Sequence, residues 1–523
     1  MRKMQTNPIN LLDAVNVDSV RCECLVIGSG VGGSVAGARL AEAGRDVLVV
    51  EEGELSTVPR YSNKIGQMTA LLYRGGGITP FLGRPMIGFA EACCAGGGSV
   101  INGGLLWRTP PHILQEWKEE FGLAGFDEVA LRAHFETVER RLCVNRHCTE
   151  EGNRDSQLLK KAANQFNWKV VAVPRALVNC TNLNLCATGC PSGAKQTMLE
   201  TYLADACKKG ARLLPNCRVY KLESKGSSRV GRARCSLQLP HGQKKYVDIE
   251  ADEFFLSGGA VQTPHLLAKS GLAPHVGQRL QYHLNLKFAA KFATPVHAEQ
   301  GTMFTQQVQE FEREGLYMMA SNCQPNYLAA TLVTHHRKEI EKLLNERFYW
   351  ALYVAQLRSK SVAKIISAWN EPIVLNHFHS SDFENFKKAC IRMSQLLFGA
   401  GAIQIYLPIA GAHPVSSEKE VTQALQSAQP SQCRLISVHA MASCPMGNHS
   451  TAITNTDGGL KGFDNIVLCD ASILPTNIGE SPQGTIMALA HEILDRRVSL
   501  NFRAHKVAVT RGVAAPKPRM NME

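Results

Sequence analysis

Residues 22–53, CECLVIGSGVGGSVAGARLAEAGRDVLVVEEG, leave this chain few ways to begin folding. The apolar run 22–27 has the length of a buried parallel strand, and Val47–Val50 is a second such run. Between them Gly28, Gly30 and Gly33 spell G-x-G-x-x-G at the turn into a helix expected over 34–43. Gly28 makes the tight turn, Gly30 lets the backbone approach a pyrophosphate, and Gly33 lets helix and strand pack closely. The helix N-terminus turns free N–H groups and a positive dipole end toward the phosphates. Glu51 follows at the spacing, about twenty residues on, where an acid accepts hydrogen bonds from an adenosine ribose. The glycines alone could mark a structural turn; two flanking strand runs and a closing acid make the stretch a dinucleotide site.

A chain of 523 residues can bury a large core, and two lobes are expected. An apolar fraction of 45% with 20% charged residues excludes disordered and fibrous classes. The net charge is +12, but the basic residues are scattered, so the reading is a solvated basic surface and not nucleic-acid binding. Peripheral contact with an anionic membrane surface or an acidic partner stays open. No run approaches the about eighteen apolar residues of a transmembrane helix. Residues 1–21 lack the apolar centre of a signal peptide, so a cytoplasmic location is expected. Many of the seventeen cysteines, such as Cys22, Cys24, Cys390 and Cys469, sit in apolar runs and read as reduced thiols. Residues 501–523 read as a loosely held basic tail.

Periodicity loosens over 61–84, which includes Gly75, Gly76 and Gly77. The next stretch, AGGGSVINGGLLWR at 95–108, carries Gly98, Ser99 and Asn102. It could set backbone N–H groups and small polar side chains against a flat ring or phosphate, or be a packing loop. Residues 111–170 read as mostly helical, a lid or a set of supporting helices. In NCTNLNLCATGCPSGAK, Cys180, Cys186 and Cys190 stand at C-x5-C-x3-C. Three such thiols suit an iron–sulfur cluster or a metal-free structural loop; with Leu183 where a fourth cysteine could stand, zinc fits poorly. Residues 212–222 carry a strand-like run, and 253–267 read as strand, Gly-Gly turn and helix feeding the same crevice. Alternating runs at 284–290, 329–333, 350–354 and 373–376 predict an antiparallel sheet, and 382–398 an amphipathic helix. Beyond 438 a strand ends at Asp470, and GESPQGTIMALAHEIL turns into a final helix.

Taken together, these separated segments resemble the glucose–methanol–choline (GMC) flavin oxidoreductases. Residues 28–51 resemble that family's FAD fingerprint, and GGSVING at 97–103 its GGSSxxNG turn. Residues 256–267 resemble AAGAxxSPxLL, GQRLQYH at 277–283 resembles GxNLxDH, 439–447 resemble HxxGTxxMG, and 470–485 resemble DASxxPxxxxxNPxxT. The match runs from about residue 20 to 500 and looks nearest the long-chain alcohol oxidase and cysteine-containing sugar and alcohol dehydrogenase branches. It implies an α/β fold: a Rossmann-like FAD-binding lobe built from discontinuous segments, and an antiparallel-sheet substrate lobe with helices. The expected layout is a first FAD-lobe part at 20–284 (with a lid or helical insertion about 60–195), the substrate lobe at 285–435, and a second FAD-lobe part at 436–500.

The resemblance implies oxidation of a CH–OH group by non-covalent FAD, with hydride passing to flavin N5. His439 stands where the family's histidine takes the hydroxyl proton, a role suited to imidazole near neutral pH. The cofactor residues implied are Gly28, Gly30, Gly33, Glu51, Gly98, Ser99, Asn102, Val219, Asp470 and Thr485. Three departures stand out. Ser481 replaces the usual Asn or His; a hydroxyl still donates one hydrogen bond but is a poor base, and Gln483 or a water could fill the gap. Ile101 occupies the place where some members carry a flavin-linked histidine, so no covalent link is expected. Leu183 replaces a fourth cysteine, which does not exclude the branch with a three-iron cluster. Dioxygen or an electron-acceptor protein would take the electrons onward. A nicotinamide enzyme and a catalytically silent flavin carrier are the rival readings. Met303, Phe304, Met318 and Met319 make a lipid-like alcohol conceivable without excluding a sugar.

Overall fold

The run 22–27 becomes the inner part of β1 (Ser19–Ile27), whose exposure alternates at first and then vanishes at Leu25, Val26 and Ile27. It turns through the glycines into α1 (Val31–Glu42), which returns to β2 (Val47–Val50), buried along its whole length. A computed structural model describes residues 11, 19–146, 152–273, 275–333 and 340–510 of the chain. The N-terminal stretch read as lacking a targeting signal falls largely outside the described residues. So does the basic tail beyond 510, the final helix Gln483–Thr510 running into its first part.

Two sheets organise the molecule. In the first, Arg212–Leu214, β2, β1 and Lys244–Leu256 run parallel, with Ile466–Leu468 parallel to the far end of Lys244–Leu256. The antiparallel strands Cys217–Ser224 and Val230–Gln238 extend the near end of Lys244–Leu256. Parallel strands covered on both faces need continuous apolar runs, which is why VLVV and the inner part of β1 carry no alternation. The sheet is therefore Rossmann-like and drawn from sequence-distant segments.

The second sheet has eleven strands and mostly antiparallel pairing. Leu280–Phe292, Trp350–Ile366, Ile373–His377, Tyr73–Leu82, Ile87–Ala92 and Leu435–Ser437 pair successively and return to Leu280–Phe292, closing a six-strand circuit. Two of those contacts, Ile373–His377 with Tyr73–Leu82 and Leu435–Ser437 with Ile87–Ala92, are parallel. The helix Ser380–Gly399 packs Phe386, Cys390, Met393 and Leu397 into this lobe.

Two local expectations change. Residues 329–333 are not a strand: Pro325–Leu332 is a helix, opened by Pro325 and burying Leu328 and Leu332 four residues apart. The triple glycine lies inside the strand Tyr73–Leu82, whose pairing with Ile87–Ala92 shifts register between Tyr73 and Ile78. Glycine removed the apolar alternation that would have signalled it. Among the described residues no helix is long and apolar enough to cross a membrane.

Candidate active site

A cavity of about 1390 Å³ is lined by residues of both sheets. Gly28, Gly30, Glu51, Gly98, Asn102, Val219 and Asp470 line it, as do His439 and Ser481. One wall is the turn between β1 and α1. Gly28 has φ +97°, and a Cβ there would lie 2.3 Å from the Ser257 carbonyl oxygen, so no other residue fits. A Cβ on Gly97, at φ +55°, would stand 2.7 Å from the Gly30 Cα, which lets the second glycine turn lie against the first. Around Gly30 itself the space is open, and no side chain caps the N-terminus of α1. Unfilled N–H groups beside open space are what a pyrophosphate occupies. Glu51 is buried and accepts from the Ser29 N–H (2.9 Å), the Ser29 hydroxyl (2.7 Å) and the Gly53 N–H (2.9 Å). Burial pushes its carboxyl up, and these bonds oppose that shift.

Asp470 ties the loops at the floor of the cavity. Its carboxylate accepts from the Gly259 N–H (2.8 Å), the Thr263 hydroxyl (2.5 Å) and the Ser472 N–H (2.8 Å). Gly32 admits this strand end, since a Cβ there would fall 1.5 Å from the Cys469 carbonyl oxygen. Three of the candidates support the wall from behind. Gly33 packs on the Gly28 carbonyl, Ser99 donates to the Gly96 carbonyl at 2.7 Å, and Thr485 bonds Thr109 at 2.8 Å.

At the other end, His439 stands half-buried between Leu435–Ser437 and the short strand Ala440–Met441. Its Nε2 lies 3.3 Å from the Ser481 hydroxyl, and its Nδ1 lies 2.9 Å from Nδ1 of the fully buried His283. The His283 N–H also donates to the His439 carbonyl at 3.1 Å. Burial lowers His439 to about 4 and holds His283 well below the usual histidine range, so both rings are neutral. Two neutral rings joined through Nδ1 hold one hydrogen between them, so the tautomers of His439 and His283 are coupled. Gln483 does not fill the gap beside Ser481: its Oε1 accepts from the Asn102 amide at 2.5 Å.

Cys180, Cys186 and Cys190 do not form a ligand set. Cys180 pairs with the Thr302 hydroxyl (3.4 Å), Cys190 with that of Ser192 (3.4 Å), and Cys186 faces the Arg175 guanidinium (3.7 Å). Burial raises the Cys186 thiol, against the thiolate a metal needs. Among the described residues no group of three His, Cys, Asp or Glu side chains is placed to hold a metal ion. The iron–sulfur alternative is thus left without ligands. The segment instead carries Lys195, whose buried ammonium donates to the carbonyls of Val100 (2.6 Å), Asn102 (2.9 Å) and Cys186 (2.5 Å), pinning the second glycine turn.

Sequence reasoning missed His283, Lys195, Lys287 and Glu480. His283 closes the quoted GQRLQYH segment, but nothing local pairs it with a residue 156 positions away. Glu480, next to Ser481, is buried, raised to about 7, and accepts from Gln307 (3.0 Å) and Gln309 (3.2 Å). Of the four apolar side chains singled out, Met303, Phe304 and Met319 line the cavity, while Met318 packs in the second lobe's core.

The crevice walled by the two glycine turns thus opens onto the half-buried, neutral His439. The GMC oxidoreductase family matches residues 69–285 and 365–490, and an NAD(P)-binding Rossmann-like domain matches 26–57. An uncharacterised GMC-type oxidoreductase of Mycobacterium tuberculosis is 31% identical over 94% of this chain and 78% of its own length. A long-chain-alcohol oxidase of Arabidopsis thaliana is 27% identical over 93% of this chain and 68% of its own. Among solved structures, pyridoxine 4-oxidase from Mesorbium loti aligns with a TM-score of 0.69 at 17% identity, covering 91% of this chain and 99% of that one. Aspergillus oryzae formate oxidase gives 0.69 at 14%, covering 92% and 98%. This chain belongs to the GMC oxidoreductase family and is a flavoprotein of α/β fold.

Proposed function

We propose that the protein oxidises the CH–OH group of an alcohol with non-covalently bound FAD, His439 accepting the hydroxyl proton. The observation that carries this reading is that Nε2 of a neutral histidine and the Ser481 hydroxyl meet in the cavity that Gly30 and Glu51 also line. The residues fit the cofactor. Open space at Gly30 and the uncapped start of α1 would take the pyrophosphate, Glu51 the adenosine ribose, and the turn of Gly98 and Asn102 with the Asp470 loop the ribityl and ring end. Val219 lines the cavity with Glu51, on the adenosine side. Bound FAD would supply a two-electron acceptor for the hydride of the carbinol carbon.

The chain's own residues manage the proton. With the shared hydrogen on His439 Nδ1, donated to His283 Nδ1, the Nε2 lone pair is free to accept the substrate proton. The imidazolium that forms keeps a charge-assisted bond to His283, which cannot itself hold a second proton at neutral pH. Ser481 donates to the substrate oxygen and orients it toward Nε2. The kinship with long-chain-alcohol oxidases supports an alcohol as substrate.

Anaerobic mixing with alcohols tests the reading. A primary alcohol should bleach the bound flavin, and His439→Ala should keep the flavin while slowing bleaching by about a hundredfold or more. An unchanged rate removes His439 from the mechanism. Reoxidation by air, followed as oxygen consumption, separates dioxygen from a protein acceptor.

A further inference from the structure

The strand Leu280–Phe292 presents His283, Asn285 and Lys287 at two-residue spacing on one face, because side chains alternate along a strand. His283 meets His439; Asn285 and Lys287 continue along the same cavity, the four steps from His283 to Lys287 spanning roughly 13 Å. Beside Lys287 stand Val354, its partner across the ladder, and Met319 beyond it, so the chamber between the two ends has an apolar side. The Lys287 ammonium donates to the buried Ser321 hydroxyl, and among the described residues no carboxylate lies within ion-pair reach of it. Asn285 lines the same cavity and is 95% buried; its amide nitrogen is itself shielded from solvent and has no hydrogen-bond partner among the described residues. An ammonium lining a cavity with one neutral hydroxyl partner and no counter-charge is costly unless an anionic ligand completes it.

We propose that the alcohol oxidised here carries a carboxylate, bound by Lys287 about four strand steps along the chamber from His283, with Asn285 between them. The inference rests on the alcohol-oxidation reading. One cation matches the single charge of a carboxylate; a phosphate dianion would leave a charge uncompensated. Burial lowers Lys287 to about 8, which leaves it protonated at neutral pH to meet the anion.

The test uses the flavin-loaded protein and two measurements. Alkanoates from hexanoate to hexadecanoate are titrated by the flavin difference spectrum, and ω-hydroxyalkanoates are compared with alkan-1-ols of equal length in anaerobic bleaching. One alkanoate length should bind best, and its ω-hydroxy form should exceed the matching alkanol in kcat/KM. Lys287→Met should weaken alkanoate binding and cut that preference by about tenfold or more, through KM, since a hydrogen bond to a charged group carries that much. Lys287→Arg should recover most of both, which a merely structural lysine would not require. Bleaching by alkanols with no preference for the acid, or a preference that Lys287→Met keeps, overturns the proposal while the alcohol-oxidation reading stands. Tighter binding of alkyl phosphates than of alkanoates overturns the carboxylate. Alkanoate binding that depends on Lys287, with no alcohol of either kind bleaching the flavin, overturns the oxidation reading and the substrate assignment with it.

Discussion

His439 does its work by staying neutral. Burial holds it near 4, so it keeps its proton-accepting form through neutral pH and gains a proton only in acid. The His439-dependent rate of flavin bleaching should therefore stay level through neutral pH and fall as the pH approaches about 4, the direction expected for a base with a lowered pKa. A limb centred on the ordinary histidine value of 6.5 would contradict this. His283 supports it from behind. His283→Leu removes the acceptor for the His439 Nδ1–H, and bleaching at saturating alcohol should slow by about tenfold or more with KM little changed. Equal rates in the variant would show that the pair does not set the tautomer. The histidine, the serine and the missing flavin-linking residue at Ile101 were all readable locally. His283 was not, because only the folding of Leu280–Phe292 against His439 brings the two rings together.

The elements that shape the cofactor wall are short and lean on one another. The helical turn Gly98–Ile101 has four residues and is held by Lys195 from a loop whose sequence reads as either an iron–sulfur site or a metal-free structural loop. Lys195→Met would strand three carbonyls, each costing about 1–3 kcal/mol if left unpaired. The purified variant should show a lower flavin-to-protein absorbance ratio, and a wild-type ratio would count against this anchor. Acid precipitation of the native protein should release all the yellow colour, since Ile101 offers no nucleophile at the cavity wall. Colour in the pellet would refute non-covalent binding. The cysteine spacing left both readings open because it measures distance along the chain. Three thiols close in sequence met three different partners once Arg175 and Thr302 arrived from elsewhere.

Across the whole molecule, buried titratable groups pull in opposite directions with pH. His491 is buried under the Tyr202 hydroxyl at 2.9 Å and is lowered to about 4, so the unfolded chain binds its proton before the folded one does. That loses stability as the pH falls from 6.5 toward 4. Asp155 and Glu480, both raised to about 7, gain it over the same range, so a difference measurement is needed. The stability of the wild type relative to His491→Gln should decline by about 2 kcal/mol between about pH 7 and about pH 5, read from urea unfolding at each pH. A constant difference would place His491 nearer its ordinary value. The sequence by itself determined the strand–turn–helix of the nucleotide lobe, because steric demands at Gly28 and the period of buried strands act within a few residues. It also determined the identity of His439 and Ser481 as candidates, because their motifs are contiguous. Only the tertiary structure decided that Tyr73–Leu82 and Ile87–Ala92 join the second sheet. It alone set His283, Asn285 and Lys287 in one row, and it gave the three cysteines separate partners instead of one ligand set. Those outcomes depend on contacts between residues far apart in the chain, for which no local periodicity or spacing exists.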